Sequence, residues 1–146
     1  MPIEIQDLDG GRGNLIVNRG TVTDQELIDF WKSHLSHNKE RIKTYKYIIL
    51  DNTELTKMAI TEATVDVVAE LFADTAKAHP DPLVAVIAYA TVGANLDLLK
   101  RIERLHKLFI YRSSWETRLF RTKGQAVRWI RERVRDKFGI DDLTFS

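Results

Sequence analysis

Residues 83–90, LVAVIAYA, form an uninterrupted apolar run in which polar and apolar side chains do not alternate. A strand with this pattern is covered on both faces, as central strands are when helices pack on each side of a parallel sheet. Parallel neighbours need crossover connections, and helices usually supply them. The run therefore predicts an α/β protein with a central strand between two layers of helices.

A β-hairpin and a helix are predicted at the start of the chain. Polar and apolar residues alternate over 3–8, and a stretch rich in turn formers separates this segment from an apolar segment over 15–18. Thr23 and Glu26 have the spacing of a capping box, and apolar residues repeat behind them at helical intervals. The first helix is therefore expected over 24–37.

Further strands and helices alternate after this helix. Residues 45–51 (YKYIILD) predict a strand, and the polar segment 52–57 predicts a loop that leads into a helix of about 17 residues capped by Thr61. The turn formers after the central strand open a third helix, and residues 108–111 are expected to form the last strand. A second capping box at Thr122 begins the final helix.

The resulting order of elements is β-β-α-β-α-β-α-β-α, without internal repeats or low-complexity tracts. Right-handed crossovers join such elements into a mixed, mainly parallel sheet with helices on both faces. A length of 146 residues suits a single domain over the whole of 1–146. No apolar run approaches the about 20 residues of a membrane span, and the start lacks the pattern of a signal peptide, so a cytoplasmic protein is expected.

Several kinds of chemistry are disfavoured by the residues present. The sequence holds no cysteine, which excludes disulfides, thiolate metal sites and a thiol nucleophile. His34 and His37 lie three residues apart, but two histidines in a polar run near a helix end are typical of solvated surface. No nucleophile motif of the Gly-x-Ser-x-Gly type is present. The sequence therefore predicts no metal and no cofactor, and it favours a protein that is not an enzyme.

The order of elements and the ending FRTKGQAVRWI over 120–130 resemble the SpoIIAA-like, or STAS-domain, group of small stand-alone proteins. The resemblance covers nearly the whole chain and implies a SpoIIAA-like fold. It also implies a regulatory or binding module, since STAS domains act as anti-sigma-factor antagonists, transporter tails and sensors of ligands or partners. In the antagonists a kinase phosphorylates a serine that follows an aspartate at the start of the second helix. Here Ala59 and Ile60 stand at those positions, and the next residue, Thr61, is the candidate phosphorylation site.

Binding residues are predicted where the parallel strands end, because loops and helix amino termini gather at that edge of a sheet. Hydroxyl, amide and carboxylate groups there suit a protein partner or a small ligand, and free helix amides near an arginine suit a phosphate or carboxylate. The predicted binding residues are Asp51, Asn52, Thr53, Thr61, Thr91, Gly93, Asn95, Arg112, Ser113, Ser114 and Trp115.

The net charge of +1 hides an asymmetry between the two halves of the chain. Residues 1–80 hold 9 basic and 13 acidic side chains, and residues 81–146 hold 13 and 8, so the halves carry −4 and +5. Arginines three and four residues apart on the last helix lie beside a tryptophan, a composition enriched in protein interfaces. The predicted homodimer interface consists of Arg128, Trp129, Arg131 and Arg135. The small net charge and the absence of a nucleic-acid motif disfavour RNA or DNA as the partner.

Two other functions remain open. An apolar gap beneath the second and third helices would make the protein a carrier of a small apolar or lipid-like ligand. The residues expected near its mouth are Met58, Ile60, Val92, Leu96 and Trp115. A small enzyme is the other alternative, in which a desolvated Asp51 acts as a base together with Thr91 or Ser114.

Overall fold

The computed structural model describes residues 3–37, 39–80, 82–87, 100, 103, 104, 106, 107 and 114–146. Within them, one five-stranded sheet has the order β1-β2-β3-β4-β5. Its strands are β1 (Ile3–Leu8), β2 (Gly13–Thr23), β3 (Tyr47–Ala59), β4 (Leu83–Ile87) and β5 (Thr117–Phe120), and only β1 is antiparallel to its neighbour. The helices are α1 (Asp24–Lys32), α2 (Lys39–Ile42), α3 (Glu62–Ala78) and α4 (Lys123–Phe138). The predicted mixed, mainly parallel sheet is therefore confirmed.

The predicted β-hairpin is confirmed, and its turn uses backbone conformations that favour glycine. β2 pairs with β1 along the whole length of β1. Gly10 and Gly11 follow β1 with φ of +65° and +94°, which side chains with a Cβ rarely adopt. Asp9 has a φ of +53°, a region that aspartate tolerates better than most residues, and its side chain is buried. The turn therefore places a carboxylate inside the protein.

The first helix begins with the predicted capping box. Thr23 accepts a hydrogen bond from the backbone of Glu26, and the Glu26 carboxylate accepts one from the backbone of Thr23. α1 passes into a π-helical turn over Ser33–His37, so the helix ends at the expected residue with a widened last turn. Turns of this kind are rare overall, and a large share of those that occur lie at functional sites.

Helices cover both faces of the sheet, and each face has its own apolar core. In the first core, α1 and α3 pack on the sheet, and the rings of Trp31 and Phe72 lie 4.4 Å apart between centroids. In the second core, α4 and the segment after it pack on the opposite face, where Ile130 and Val134 are buried. The prediction of two helical layers is therefore confirmed.

The loop predicted over 52–57 is wrong, because β3 continues through it to Ala59. This extension pairs with β2, which satisfies its backbone groups despite the polar side chains. Leu55 supplies an anchor, since it is completely buried in the first core. The register shifts after Val17 and after Gly20, where β3 has one more residue than β2. Bulges of this kind allow a polar sequence to stay in a strand.

The end of the chain differs from expectation in its last strand. Residues 108–111, predicted as that strand, lie outside the described residues, as does most of the predicted third helix. Residues 100, 103, 104, 106 and 107 are helical. The strand beside β4 is β5, which the sequence analysis missed because TRLF mixes arginine with apolar residues. No helix of the described residues is long and apolar enough to cross a membrane.

Candidate functional site

Three of the predicted binding residues lie together beside the last residue of β4. Asp51 pairs in register with Ile87, and Asn52 and Thr53 follow it within the extended strand β3. They are therefore in the middle of β3, whereas the sequence predicted that they follow the end of this strand. From this point β2 and β3 continue as a pair.

A pair of asparagine amides occupies the first bulge of β2 and β3. Asn18 opposes both Asn52 and Thr53, because the register shifts there. Asn18 Nδ2 donates a hydrogen bond of 2.7 Å to Asn52 Oδ1, and Asn52 is buried. Asn18 Oδ1 is also buried, and it has no hydrogen-bond partner among the described residues. Asn18 Oδ1 is therefore a buried hydrogen-bond acceptor without a donor among the described residues, and it lies beside the carboxyl end of β4.

Asp51 stabilises this bulge through a local turn. Its Oδ1 accepts hydrogen bonds from the backbone N of Thr53 at 2.9 Å and from Thr53 Oγ1 at 2.7 Å. Aspartates often hold a backbone two residues onward in this way. The contact gives Asp51 a structural role in the bulge and engages one of its two carboxylate oxygens.

Thr61 is the N-cap of α3, as predicted, and Thr61 Oγ1 accepts from the backbone N of Thr64 at 3.5 Å. The backbone N of Thr61 donates to Asp24 Oδ1 at 2.8 Å. A carboxylate therefore lies beside Thr61, and its charge would repel a phosphate on this residue. This arrangement disfavours the phosphorylation predicted at Thr61.

Two other predicted binding residues, Ser114 and Trp115, do not lie at this site. Ser114 and Trp115 precede β5, so they lie at the amino end of that strand, and residues 108–111, the strand they were predicted to follow, lie outside the described residues. Trp115 is buried against Phe72, and its Nε1 donates to the backbone O of His79 at 2.6 Å. It is therefore not at the mouth of an apolar gap. The other predicted binding residues, Thr91, Gly93, Asn95, Arg112 and Ser113, lie outside the described residues, as do Val92 and Leu96.

A buried polar cluster at the amino end of the sheet was missed. His34 is buried, although a solvated surface was predicted, and its Nε2 lies 3.1 Å from Asn14 Oδ1. Because Asn14 Nδ2 faces the backbone O of Gln6 and Asp7 Oδ1, Asn14 Oδ1 is the acceptor and His34 Nε2 carries the proton. His34 Nδ1 is buried and has no partner among the described residues. The spacing of His34 from Leu27, seven residues, was the signal of an inward position.

A second polar cluster at this end surrounds Asp9. Tyr47 OH donates to Asp9 Oδ2 at 2.5 Å, and the backbone N of Thr144 and Phe145 donate to the two carboxylate oxygens at 2.7 and 3.1 Å. Burial favours a raised pKa for Asp9, but these hydrogen bonds outweigh it and hold the pKa below the ordinary value. In the described part of the chain, no group of three histidine, aspartate or glutamate side chains is placed to hold a metal ion.

The predicted homodimer interface on α4 is only partly available. Trp129 is 9% exposed and packs in the second core, with its ring 5.4 Å from that of Phe120, so the prediction that it faces a partner is corrected. Arg128, Arg131 and Arg135 are exposed, and Arg131 lies over the ring of Phe145. An open groove lies between α4 and β5, beside Arg128.

Comparison with known proteins identifies the fold. The chain is similar to a solved structure, that of an uncharacterised protein of the DUF3478 family with a SpoIIAA-like fold, from Shewanella loihica PV-4. The two share 15% sequence identity and a TM-score of 0.53, over 88% of this chain and 91% of that chain. This likeness confirms the SpoIIAA-like fold. Neither a protein-family model nor a curated protein matches the sequence.

Proposed function

We propose that this chain is a regulatory or binding module rather than an enzyme, and that it holds a small ligand or a segment of a partner protein beside the end of β4. The observation that carries the proposal is the amide pair of Asn18 and Asn52, in which Asn18 Oδ1 is buried without a partner. A buried acceptor without a donor costs about 1–3 kcal/mol. A ligand that donates a hydrogen bond to Asn18 Oδ1 would remove this cost.

The position of the amide pair supports the same function. Ligands of parallel α/β sheets gather beyond the carboxyl ends of the strands, and β4 ends opposite Asp51, next to the pair. Bulges are frequent next to binding sites because they redirect a side chain. Here the bulge brings two side-chain amides into contact, and amides supply both a donor and an acceptor to a ligand.

The contacts of Asp51 favour binding over catalysis. One carboxylate oxygen accepts two hydrogen bonds from Thr53, which fixes the side chain in the strand. Ser114, one of the hydroxyls considered for an enzyme, lies at the opposite end of the sheet, where its Oγ donates to the backbone O of Ala76 at 3.4 Å. The two groups therefore do not form one reaction centre.

The test compares three proteins: the wild type, Asn18→Ala and Gln6→Ala. Gln6 is an exposed residue of β1, so its variant is a matched loss of an amide away from the site. Each protein is purified from the same host and analysed by mass spectrometry under native and then denaturing conditions. We expect the wild type and Gln6→Ala to release the same small molecule or to retain the same partner, and Asn18→Ala to lose it.

Equal retention by Asn18→Ala and the wild type would place the ligand elsewhere and contradict the proposal. A bare mass for the wild type, followed by affinity capture in which Asn18→Ala retains the same proteins as the wild type, would contradict it as well. Thermal unfolding of all three proteins checks that the Asn18 variant remains folded.

A further inference from the structure

The groove between β5 and α4 is a second candidate surface, on the face of the sheet opposite to α1 and α3. It has a volume of about 310 Å³, and its lining includes Arg118, Phe120, Gln125, Arg128, Trp129 and Glu132. Trp129 belongs to the second core, Phe120 packs against it, and both rings line the groove. The groove therefore has an aromatic base and a charged rim.

The charges on this rim are not balanced within the chain. Arg133 forms a bidentate ion pair with Glu116, in which Nε donates to Oε1 at 3.1 Å and Nη2 donates to Oε2 at 2.8 Å. Arg118 lies near enough to Glu116 to help lower its pKa, but among the described residues neither Arg118 nor Arg128 lies within ion-pair distance of an acidic side chain. Arg118 stacks over Phe120, with 5.7 Å between its guanidinium carbon and the ring centroid. Two guanidinium groups are thus available to an anionic partner at the rim.

We propose that this groove binds an acidic peptide segment of a partner protein, at a site separate from the one beside β4. The choice of occupant rests on charge complementarity, because residues 112–137 hold nine basic and three acidic side chains. Carboxylate side chains accept two parallel hydrogen bonds from a guanidinium group, which fits Arg118 and Arg128. The apolar side chains of such a peptide would cover the edges of Phe120 and Trp129.

Glu132 distinguishes a peptide from a nucleic acid as the occupant. Glu132 is an exposed residue of α4 that lines the groove. A phosphate backbone carries a charge at every nucleotide and would be repelled there. A peptide can place an uncharged or basic residue opposite Glu132 and keep its carboxylates opposite the arginines.

The test measures binding of a short fluorescein-labelled peptide of alternating glutamate and leucine by fluorescence anisotropy. We expect Arg128→Gln to raise the dissociation constant by about tenfold, since one charge-assisted contact is lost. Arg131→Gln is the matched control, because it removes the same charge from the same helix but outside the groove lining. A general attraction to positive charge would change by only about twofold in that control.

Four outcomes would overturn the proposal. If Arg128→Gln and Arg131→Gln weaken peptide binding equally, the effect is a general attraction to positive charge. If an oligonucleotide displaces the peptide, and both variants weaken its binding equally, the surface favours nucleic acid. Binding of a glutamine version of the peptide with the same affinity would remove the role of the carboxylates. Sedimentation of the protein alone serves as a third measurement, because self-association that Arg128→Gln abolishes would assign the groove to a second copy of this chain.

Discussion

Two tyrosines, Tyr45 and Tyr47, contact two aspartates from opposite faces of the sheet, Asp7 near the end of β1 and Asp9 in the turn that follows. Tyr47 OH donates to Asp9 Oδ2 at 2.5 Å, and Tyr45 OH donates to Asp7 Oδ1 at 2.9 Å. Backbone donors complete the shell of Asp9, whereas the cluster of Asp7 contains His34, whose Nδ1 is buried without a partner among the described residues. One cluster is therefore saturated with hydrogen bonds, and the other is not.

The difference follows from what covers each face. On the Asp9 face, irregular chain after α4 turns its backbone N–H groups toward the carboxylate. On the Asp7 face, helical residues cover the cluster, and helix backbone groups are already paired within the helix. The covering helix therefore supplies no backbone partner to the cluster, and His34 Nδ1 has no hydrogen-bond partner among the described residues. A saturated cluster should resist a mild change of pH, and an unsaturated one should respond to it.

The largest effect is expected from Gly13→Ala, which breaks the saturated cluster. A Cβ at residue 13 would lie 1.9 Å from Cζ of Tyr47, whose ring is completely buried. The ring must move away from Asp9, and overpacking together with the lost hydrogen bond should cost about 4 kcal/mol of unfolding free energy in urea titrations. Gly124→Ala is the control, since its Cβ would meet only Thr122 Oγ1 at 3.9 Å. Equal destabilisation by the two variants would contradict the argument.

The next largest effect is a pH response that belongs to the unsaturated cluster. Burial lowers the pKa of His34 to about 4, although the nearby Asp7 carboxylate opposes the shift and Arg41 reinforces it. The unfolded chain, with a pKa near 6.5, binds a proton that the folded protein rejects between these values. Stability should therefore fall by about 3 kcal/mol as the pH drops from about 6.5 to about 4. Denaturant titrations of the wild type and of His34→Gln across this range test the assignment, because the variant should lose most of the decline and keep only the part that comes from His106, whose pKa burial also lowers.

Asp9→Asn should lower the free energy of unfolding by less, about 2 kcal/mol at neutral pH. Asparagine tolerates the positive φ, but its side chain places an amide opposite the donors of Tyr47 and Phe145. The pKa of Asp9 is lowered in the folded protein, so its contribution is present above the ordinary value of 3.8 and is lost as the pH falls further. This window lies below that of His34. Asp142→Asn, an exposed carboxylate paired with Arg12, is the control and should change stability little. A decline of the wild type over pH 4–6.5 that Asp9→Asn removes would contradict both assignments.

The elements of the fold with strong local signals were predictable from sequence. The apolar run at β4, the capping box at Thr23 and the N-cap at Thr61 depend on neighbouring residues, and the structure has them as expected. The extension of β3 was not predictable, since Leu55 is its main apolar anchor and its pairing with β2 is a contact between distant residues. Local propensity gives way to such tertiary contacts in strands.

The candidate site was predictable only in part for the same reason. Sequence placed Asp51 at the end of its strand and its neighbours in a loop, whereas all three lie within β3, beside the last residue of β4. Their contact with Asn18 arises from a register shift, which no residue pattern in β2 signals. The Asp9 cluster likewise depends on Thr144 and Phe145, which follow Asp9 by 135 and 136 residues.

The smallest effects are expected from removing the two tyrosine hydroxyls, which compares the clusters directly. Tyr47→Phe leaves Asp9 buried with one donor fewer, and it should cost about 1.5 kcal/mol, as expected for a hydrogen bond to a charged group. Tyr45→Phe should cost about 0.5 kcal/mol, because Asp7 keeps Arg41 as a partner at 2.9 Å and lies nearer to solvent. Urea titrations of the two variants at neutral pH measure the difference. A larger loss in Tyr45→Phe would mean that the Asp7 cluster, despite its unpaired nitrogen, is the more tightly coupled of the two.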